Sequence, residues 1–297
     1  MTQTEHRRAS SKLERLMKDP DRALRDPALP PIYHAHLRIV QKSLEPGFWD
    51  RALRLGQQTF GCNWIEICTR NIRDVHHRER IGALDLSKSY IVVSNHRSFF
   101  DMYVITAYLV KRGMKHRILF PVRSNFFYDS VAGIFVNGVM SFFAMYPPVF
   151  RDKALAHLNV ASLDETIRLL RRGGFFIGLH PEGTRNTGDP YTFLPARSGV
   201  GRIIHQARMP VLPVFINGLG NDLPKQVLGN FTRTGDRVNV VFGKPVDFGD
   251  LLDQPPSPRV FKAVSERSMD AVAVLGREEK GIRGSGDQGV GISGNPA

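Results

Sequence analysis

The chain has 297 residues, enough for one large domain or two small ones with a full core, and its composition, 42% hydrophobic and 23% charged, is that of a globular protein. A formal net charge of +13 points to a polyanionic partner: nucleic acid, an anionic membrane surface or phosphorylated small molecules. The two cysteines, Cys62 and Cys68, stand six apart without metal-ligand company, which reads as small apolar filling in a reducing compartment.

Residues 1–31 mix both charge signs with Pro20, Pro27, Pro30 and Pro31 and show no apolar stretch of a signal peptide, so a mobile charged leader is expected there. Residues 32–69 predict a helical pair, Tyr33–Leu44 and Phe48–Glu66, split by Glu45-Pro46-Gly47. At about 100° per residue, Phe48, Trp49, Ala52, Leu53, Leu55, Gly56 and Phe60 share an apolar arc of roughly 160°. Such an arc either covers the domain's own core or lies in the headgroup zone of a bilayer. The basic stretch that follows, from Arg70 to Leu86, predicts an irregular connection; its His76-His77 pair lacks carboxylate or cysteine neighbours at ligand spacing.

From Tyr90 onward short apolar runs alternate with helical periodicity. Strands are predicted at Tyr90–Val93, Ile118–Val122, Phe142–Tyr146, Phe175–Leu179, Val211–Ile216 and Val238–Phe242. Helices are predicted at Asp101–Lys111, Ser130–Val139, Ala154–Arg172, Val200–Ala207 and Phe261–Leu275. That alternation predicts an α/β domain over residues 70–275, a central mostly parallel sheet flanked by helices on both faces. The prolines of Met209-Pro210-Val211-Leu212-Pro213-Val214 suggest an edge strand or a rigid turn. Residues 276–297 turn to Gly, Ser and charge, and a disordered tail is expected. The charge-free window Ser130–Phe150 is broken by Asn137, two glycines and Pro147-Pro148, so no transmembrane helix is expected.

Three stretches carry chemistry. His96 and Asp101 follow the apolar run Tyr90–Val93; on one regular helix they would sit about 140° apart, so contact requires His96 in the turn ahead of the helix. Asp101 then either caps that helix, with Ser98 as N-cap, or accepts from one imidazole nitrogen and leaves the other as a base. Leu179-His180-Pro181-Glu182-Gly183-Thr184-Arg185-Asn186 is a tight turn behind a strand, suited to an anion gripped by Arg185, with Glu182 orienting a hydroxyl or an arginine. Arg151 ends a third apolar run at Pro147-Pro148-Val149-Phe150.

The order Asn95-His96…Asp101, Phe150-Arg151, Pro181-Glu182-Gly183-Thr184-Arg185, Pro210-Val211-Leu212-Pro213 resembles the four motifs of the glycerophospholipid acyltransferase family, whose best-known members are 1-acylglycerol-3-phosphate acyltransferases. The likeness runs from about residue 85 to 245. It implies that His96 is the general base, oriented by Asp101, and that Arg151, Glu182, Gly183, Thr184 and Arg185 hold a glycerol-phosphate end. It also implies acyl transfer from an acyl-CoA or acyl carrier protein thioester as co-substrate, no bound cofactor and no metal. Three positions depart from the family's usual pattern: His180 for an aromatic or aliphatic residue, Asn186 for serine, and the Pro-Pro approach to Arg151.

The expected function is acyl transfer to the free hydroxyl of a lysophospholipid, 1-acylglycerol 3-phosphate giving phosphatidate, with glycerol 3-phosphate or another lysolipid as alternative acceptors. A thioester is activated, so a placed hydroxyl and a base suffice. Backbone amides in the turn around His96 are expected to hold the oxyanion. The expected partner surface is anionic lipid, on the cytoplasmic face of a membrane and peripheral to it. The rival reading is a non-catalytic basic module binding membrane or nucleic acid; nucleic acid is not expected, because no aromatic-basic RNA signature or helix-turn-helix spacing is present.

Overall fold

The computed structural model describes residues 28–288 together with Asp26. The expected mobile leader falls outside the described residues up to Arg25 and at Pro27, as does the last part of the expected tail, residues 289–297. Pro31, its fixed φ suited to a first helical turn, opens α1 (Pro31–Leu44). After Glu45-Pro46-Gly47, α2 (Phe48–Gly56) runs through one π-turn into α3 (Cys62–Thr69).

The basic connection is not irregular. It forms β1 (Arg73–His76) and the short α4 (Arg78–Gly82). Only Val75 of β1 is buried, so four residues offered no alternation to read; pairing with a segment far away in the chain makes the strand, with Val75 opposite Val240. Then come β2 (Tyr90–Ser94), α5 (Asp101–Lys111), β3 (Arg117–Leu119), β4 (Val122–Arg123), α6 (Ser124–Phe127) and α7 (Val131–Phe135), which a π-turn extends to Met140.

The strand expected at Phe142–Tyr146 does not form. Phe142 and Phe143 take positive φ, 52° and 57°, and the Phe143 amide donates to Asn137 O at 2.7 Å, closing off the helical turn before it. The Phe142 ring packs on Gly56 of α2, so the aromatic pattern serves packing between helices rather than a sheet face. The chain pairs only at β5 (Pro148–Val149), beside β4. There follow α8 (Asn159–Arg172), β6 (Phe175–Leu179), α9 (Ser198–Ala207), β7 (Val211–Asn217), α10 (Leu223–Thr232), β8 (Val238–Phe242) and α11 (Pro258–Gln288). Sequence reading missed α10, although Asp222 is its N-cap, accepting from the Lys225 amide at 3.1 Å, and Pro224 lies in its first turn.

Six strands form one sheet in the order β1-β8-β7-β2-β6-β3. Neighbours are parallel except β7 and β8. The proline-flanked strand β7 is therefore interior, not an edge. Pro213 is tolerated because its nitrogen faces the β8 side, where the β7–β8 pairing begins only at Val214 opposite Phe242 and Gly243 N bonds to Pro213 O. Every residue of β2 is buried, Ile91 and Val93 against one helical layer and Tyr90 and Val92 against the other. The layer with Ile91 holds α1, α8 and α9; the layer with Val92 holds α3 and α5.

The expected end of the last helix at Gly276 is also overturned, since α11 continues to Gln288. Gly276 is a packing glycine: a Cβ there would lie 3.1 Å from the Phe215 ring of β7. Beyond it Glu279 is fully buried, accepting from Tyr191 Oη at 2.6 Å and Asn239 Nδ2 at 2.8 Å and pairing with Arg283. Those contacts stabilise a helical segment whose composition alone reads as unstructured.

Candidate active site

Strands β2 and β6 are parallel neighbours in register, Val93 opposite Leu179, so the segments leaving their carboxyl ends emerge side by side. This is the edge of an open α/β sheet where sites are commonly built. Asn95 extends β2 by one step: its side-chain oxygen accepts from Ile216 N at 2.9 Å and its amide donates to Ile216 O at 2.8 Å. The next residue, His96, turns out of the sheet. His180, one step past β6, stacks its ring on the His96 ring with centroids 3.9 Å apart and planes 12° apart.

Asp101 is fully buried at the first residue of α5. Its Oδ2 accepts from His96 Nδ1 at 3.1 Å, Arg97 N at 2.7 Å and Ser98 N at 2.8 Å. One oxygen thus holds the turn and the imidazole together, and of the two readings of Asp101 the contact with the imidazole is the one that forms. The expected capping box does not: the helix begins at Asp101 after Phe100, and Ser98 Oγ donates to Gly220 O at 2.7 Å, drawn toward the loop after β7. Burial pushes the His96 imidazole down to about 4, with Arg185 and Arg123 adding to it, and burial pushes the Asp101 carboxyl up to about 6. At neutral pH the pair is neutral imidazole and carboxylate. Nδ1–H donates to Asp101 and Nε2 keeps its lone pair.

The amides around His96 do not form the expected oxyanion site. His96 N donates to Glu182 Oε2 at 2.7 Å, Arg97 N and Ser98 N to Asp101, Phe99 N to Asn221 Oδ1 at 3.3 Å, and Phe100 N to Ser98 Oγ at 3.3 Å. All five consecutive donors have acceptors.

The Pro181–Arg185 turn has the geometry its residues demand. Gly183 has φ +67° and its amide donates to His180 O at 3.0 Å; a side chain there would be strained and would press on Arg197 Cγ. Glu182 is buried, and its second oxygen accepts from Leu194 N at 2.9 Å. Expected to face a substrate hydroxyl or an arginine, it knits two backbone segments together, with Arg97 also acting on its charge. Thr184 is half-buried in the same turn. Residue 186, where Asn departs from the family pattern, joins the two loops through its backbone N–H, which donates to His96 O at 2.8 Å.

Arg151 and Arg185 come to this edge as expected. Arg151 donates to Gly183 O, and Arg185 Nη1 to Asn221 Oδ1 at 2.9 Å. Two further arginines join them. Arg123, at the end of β4, acts on both His96 and Arg151, and Arg197 acts on Arg151. Partial burial, with repulsion from Arg123 and Arg197 added, lowers the Arg151 pKa. Among the described residues none of the four is in an ion pair, which leaves a cationic rim suited to a phosphate. Arg123 was legible: it directly follows the strand predicted at Ile118–Val122.

On the other side of Phe99 and Phe100 lies a cavity of about 710 Å³, walled by Phe60, Trp64, Cys68, Phe100, Tyr103 and Met140 among others. It is mainly apolar and within the range of small-ligand sites, roughly 300–1,000 Å³. The aromatic residues of the Phe48–Phe60 arc and Leu55 do not cover the core: Phe48, Trp49, Leu55 and Phe60, with Trp64 beyond them, are 60–76% exposed. Behind them Arg117 is buried, held by Asp50 at 3.2 Å and by Ser43 O and Phe142 O, which locks the elbow between α1 and α2. Among the described residues no helix is long and apolar enough to cross a membrane.

His96, Asp101 and His180 also bring metal-ligand atoms within 4.8 Å of one another. Their geometry is that of a hydrogen-bonded stack: the rings are near-parallel, His96 Nδ1 lies 3.1 Å from Asp101 Oδ2, and His180 Nδ1 lies 3.0 Å from Asn95 O.

Residues 71–217 match the acyltransferase family model. The chain is 23% identical to a 1-acyl-sn-glycerol-3-phosphate acyltransferase of Saccharomyces cerevisiae over 58% of its length and 52% of the relative's. It is 28% identical to a chloroplastic enzyme of the same name from Brassica napus over 61% of its length and 46% of the relative's. The chain thus spans about half the length of these curated relatives. A crystal structure of the 1-acyl-sn-glycerophosphate (LPA) acyltransferase from Thermotoga maritima aligns at 20% identity and a TM-score of 0.49, covering 91% of this chain and 97% of that one. With its family match spanning the His96 and Arg185 motifs, the chain belongs to the acyltransferase family, among the proteins similar to 1-acylglycerol-3-phosphate acyltransferases.

Proposed function

We propose that the protein transfers a fatty acyl group from an acyl-CoA or acyl carrier protein thioester to the free hydroxyl of a lysophospholipid, 1-acylglycerol 3-phosphate giving phosphatidate. The observation that carries this is the placement of the hydrogen-bonded His96–Asp101 pair between a cationic rim and an apolar cavity. The rim of Arg123, Arg151, Arg185 and Arg197 binds the acceptor's phosphate, and the cavity takes an acyl chain. His96 Nε2 removes the proton from the acceptor hydroxyl as its oxygen attacks the thioester carbonyl. The new C–O bond forms, the C–S bond breaks, and the imidazolium returns its proton to the departing thiolate. Because the local amides are occupied, the developing oxyanion relies on the positive field of Arg185 and Arg123, the cations that act on His96. The thioester enters as co-substrate and no bound cofactor is required.

The exposed aromatic face of α2 and α3 supports a peripheral position on an anionic lipid surface, at the cytoplasmic face of a membrane. Phe60 and Trp64 belong both to that face and to the cavity wall, so lipid has a short path inward. The test is incubation of purified protein with labelled acyl-CoA or acyl carrier protein and a panel of lysolipid acceptors. His96→Ala is expected to lower kcat by about 10²–10⁴-fold with the fold intact. Retention of most activity in that variant would end the proposal.

A further inference from the structure

His180 has no part in the chemistry above, yet it makes the most intimate contact with the base. Its ring lies flat on His96, 3.9 Å away and 12° from parallel. Its own orientation is fixed from behind: Nδ1 is 3.0 Å from Asn95 O, 3.2 Å from Ser94 O and 3.2 Å from Ser94 Oγ. Carbonyl oxygens only accept, so Nδ1 carries the proton and the ring is held in one tautomer. The sheet explains why this happens. With Val93 opposite Leu179, the residue after β6 is delivered beside the last carbonyls of β2.

His96 is therefore held on three sides: by Asp101 at the ring edge, by Glu182 at its backbone amide and by His180 on the ring face. We propose that His180 is a positioning residue whose imidazole, pinned to the Ser94 and Asn95 carbonyls, is the platform that fixes the plane of His96 and so aims Nε2 at the acceptor hydroxyl. This rests on the acyltransfer reading. An apolar ring would give the stack without the tether. An imidazole gives both, and its neutral face attracts the cation that His96 becomes on taking the proton. A second proton on His180 is opposed by burial and by His96; Asp101 is the charged group favouring it. The charged groups acting on His96 from the neighbouring segments are Asp101, Arg185 and Arg123.

Two variants separate tether from platform. His180→Phe keeps a ring and loses the N–H; His180→Asn keeps an N–H and loses the ring. The expected result is a fall in kcat of about 10–100-fold for Asn and a few-fold for Phe, with KM for both substrates within about twofold and the acid limb of the kcat–pH profile displaced most in Asn. Wild-type kcat and pH profile in the Asn variant, or a loss confined to KM, would overturn the proposal. Imidazole ¹⁵N spectra of the wild-type protein give a readout without activity. The histidine missing from both variants should show an Nδ1–H tautomer that does not titrate between pH 5 and 8. A signal that titrates near 6.5 would refute the platform even if transfer were normal. Absence of transfer by the wild type would instead sink the activity reading, while these spectra still judge the stack.

Discussion

Glu182→Gln tests most directly what the buried carboxylate does. Its two oxygens accept from His96 N at 2.7 Å and Leu194 N at 2.9 Å, and the side chain is 1% exposed. Gln keeps the shape and one acceptor, but its amide then faces one of the two backbone donors with a donor. Hydrogen bonds to a charged acceptor contribute about 1.5–3 kcal/mol each, and an unsatisfied buried donor costs about 1–3 kcal/mol. A total loss of about 3 kcal/mol follows, or a fall in Tm of roughly 6–12 °C for a domain of this size. Because the His96 amide is one of the two donors, kcat should fall with stability, and KM for the acceptor should change little. Thermal melts and steady-state kinetics on the same preparation decide it. A variant with wild-type Tm and a raised acceptor KM would show that Glu182 faces substrate, and the positioning role would be wrong.

Acid should destabilise the fold early. His36, His96 and His180 are held neutral by burial, down to about 4, 4 and 3, so below about pH 6.5 the unfolded chain binds protons that the folded one does not. Asp101, raised to about 6, works the opposite way and offsets part of this between about pH 6 and 4. The net is a loss on the order of 1–3 kcal/mol per pH unit as pH falls from 6.5 toward 4, and urea midpoints unchanged between pH 7 and 5 would contradict it. Gly201→Ala should prevent folding or cost several kcal/mol, since its Cβ would fall 1.7 Å from Phe261 O where α9 crosses α11; a soluble variant with wild-type Tm would disprove that crossing. Phe48→Ser with Trp49→Ser should reduce co-sedimentation with anionic vesicles and leave Tm within about 1 °C, as both side chains are mostly exposed. A large drop in Tm would mean that the face covers protein.

The sequence by itself determined the class of the fold and the heart of the site. A short continuous apolar run bounded by turns, and the longer helical stretch between two of them, are local properties, so β2, α5, β6 and β7 stand in the structure within a residue or two of where the pattern placed them. His96 and Asp101 were legible for the same reason, since a five-residue spacing behind a buried strand is settled by one turn. What the tertiary structure decided is everything that depends on partners distant in the chain. β1 exists because β8 lies beside it, Pro213 is interior because the chain leaves the ladder there, and Phe142 turns away from a strand to pack on α2. Glu182 lies 86 residues from the amide it holds. His180 meets His96 only because β2 and β6 are parallel neighbours in that register. Local pattern fixes which residues are buried; strand order and register fix which of them touch, and the chemistry of this site resides in those contacts.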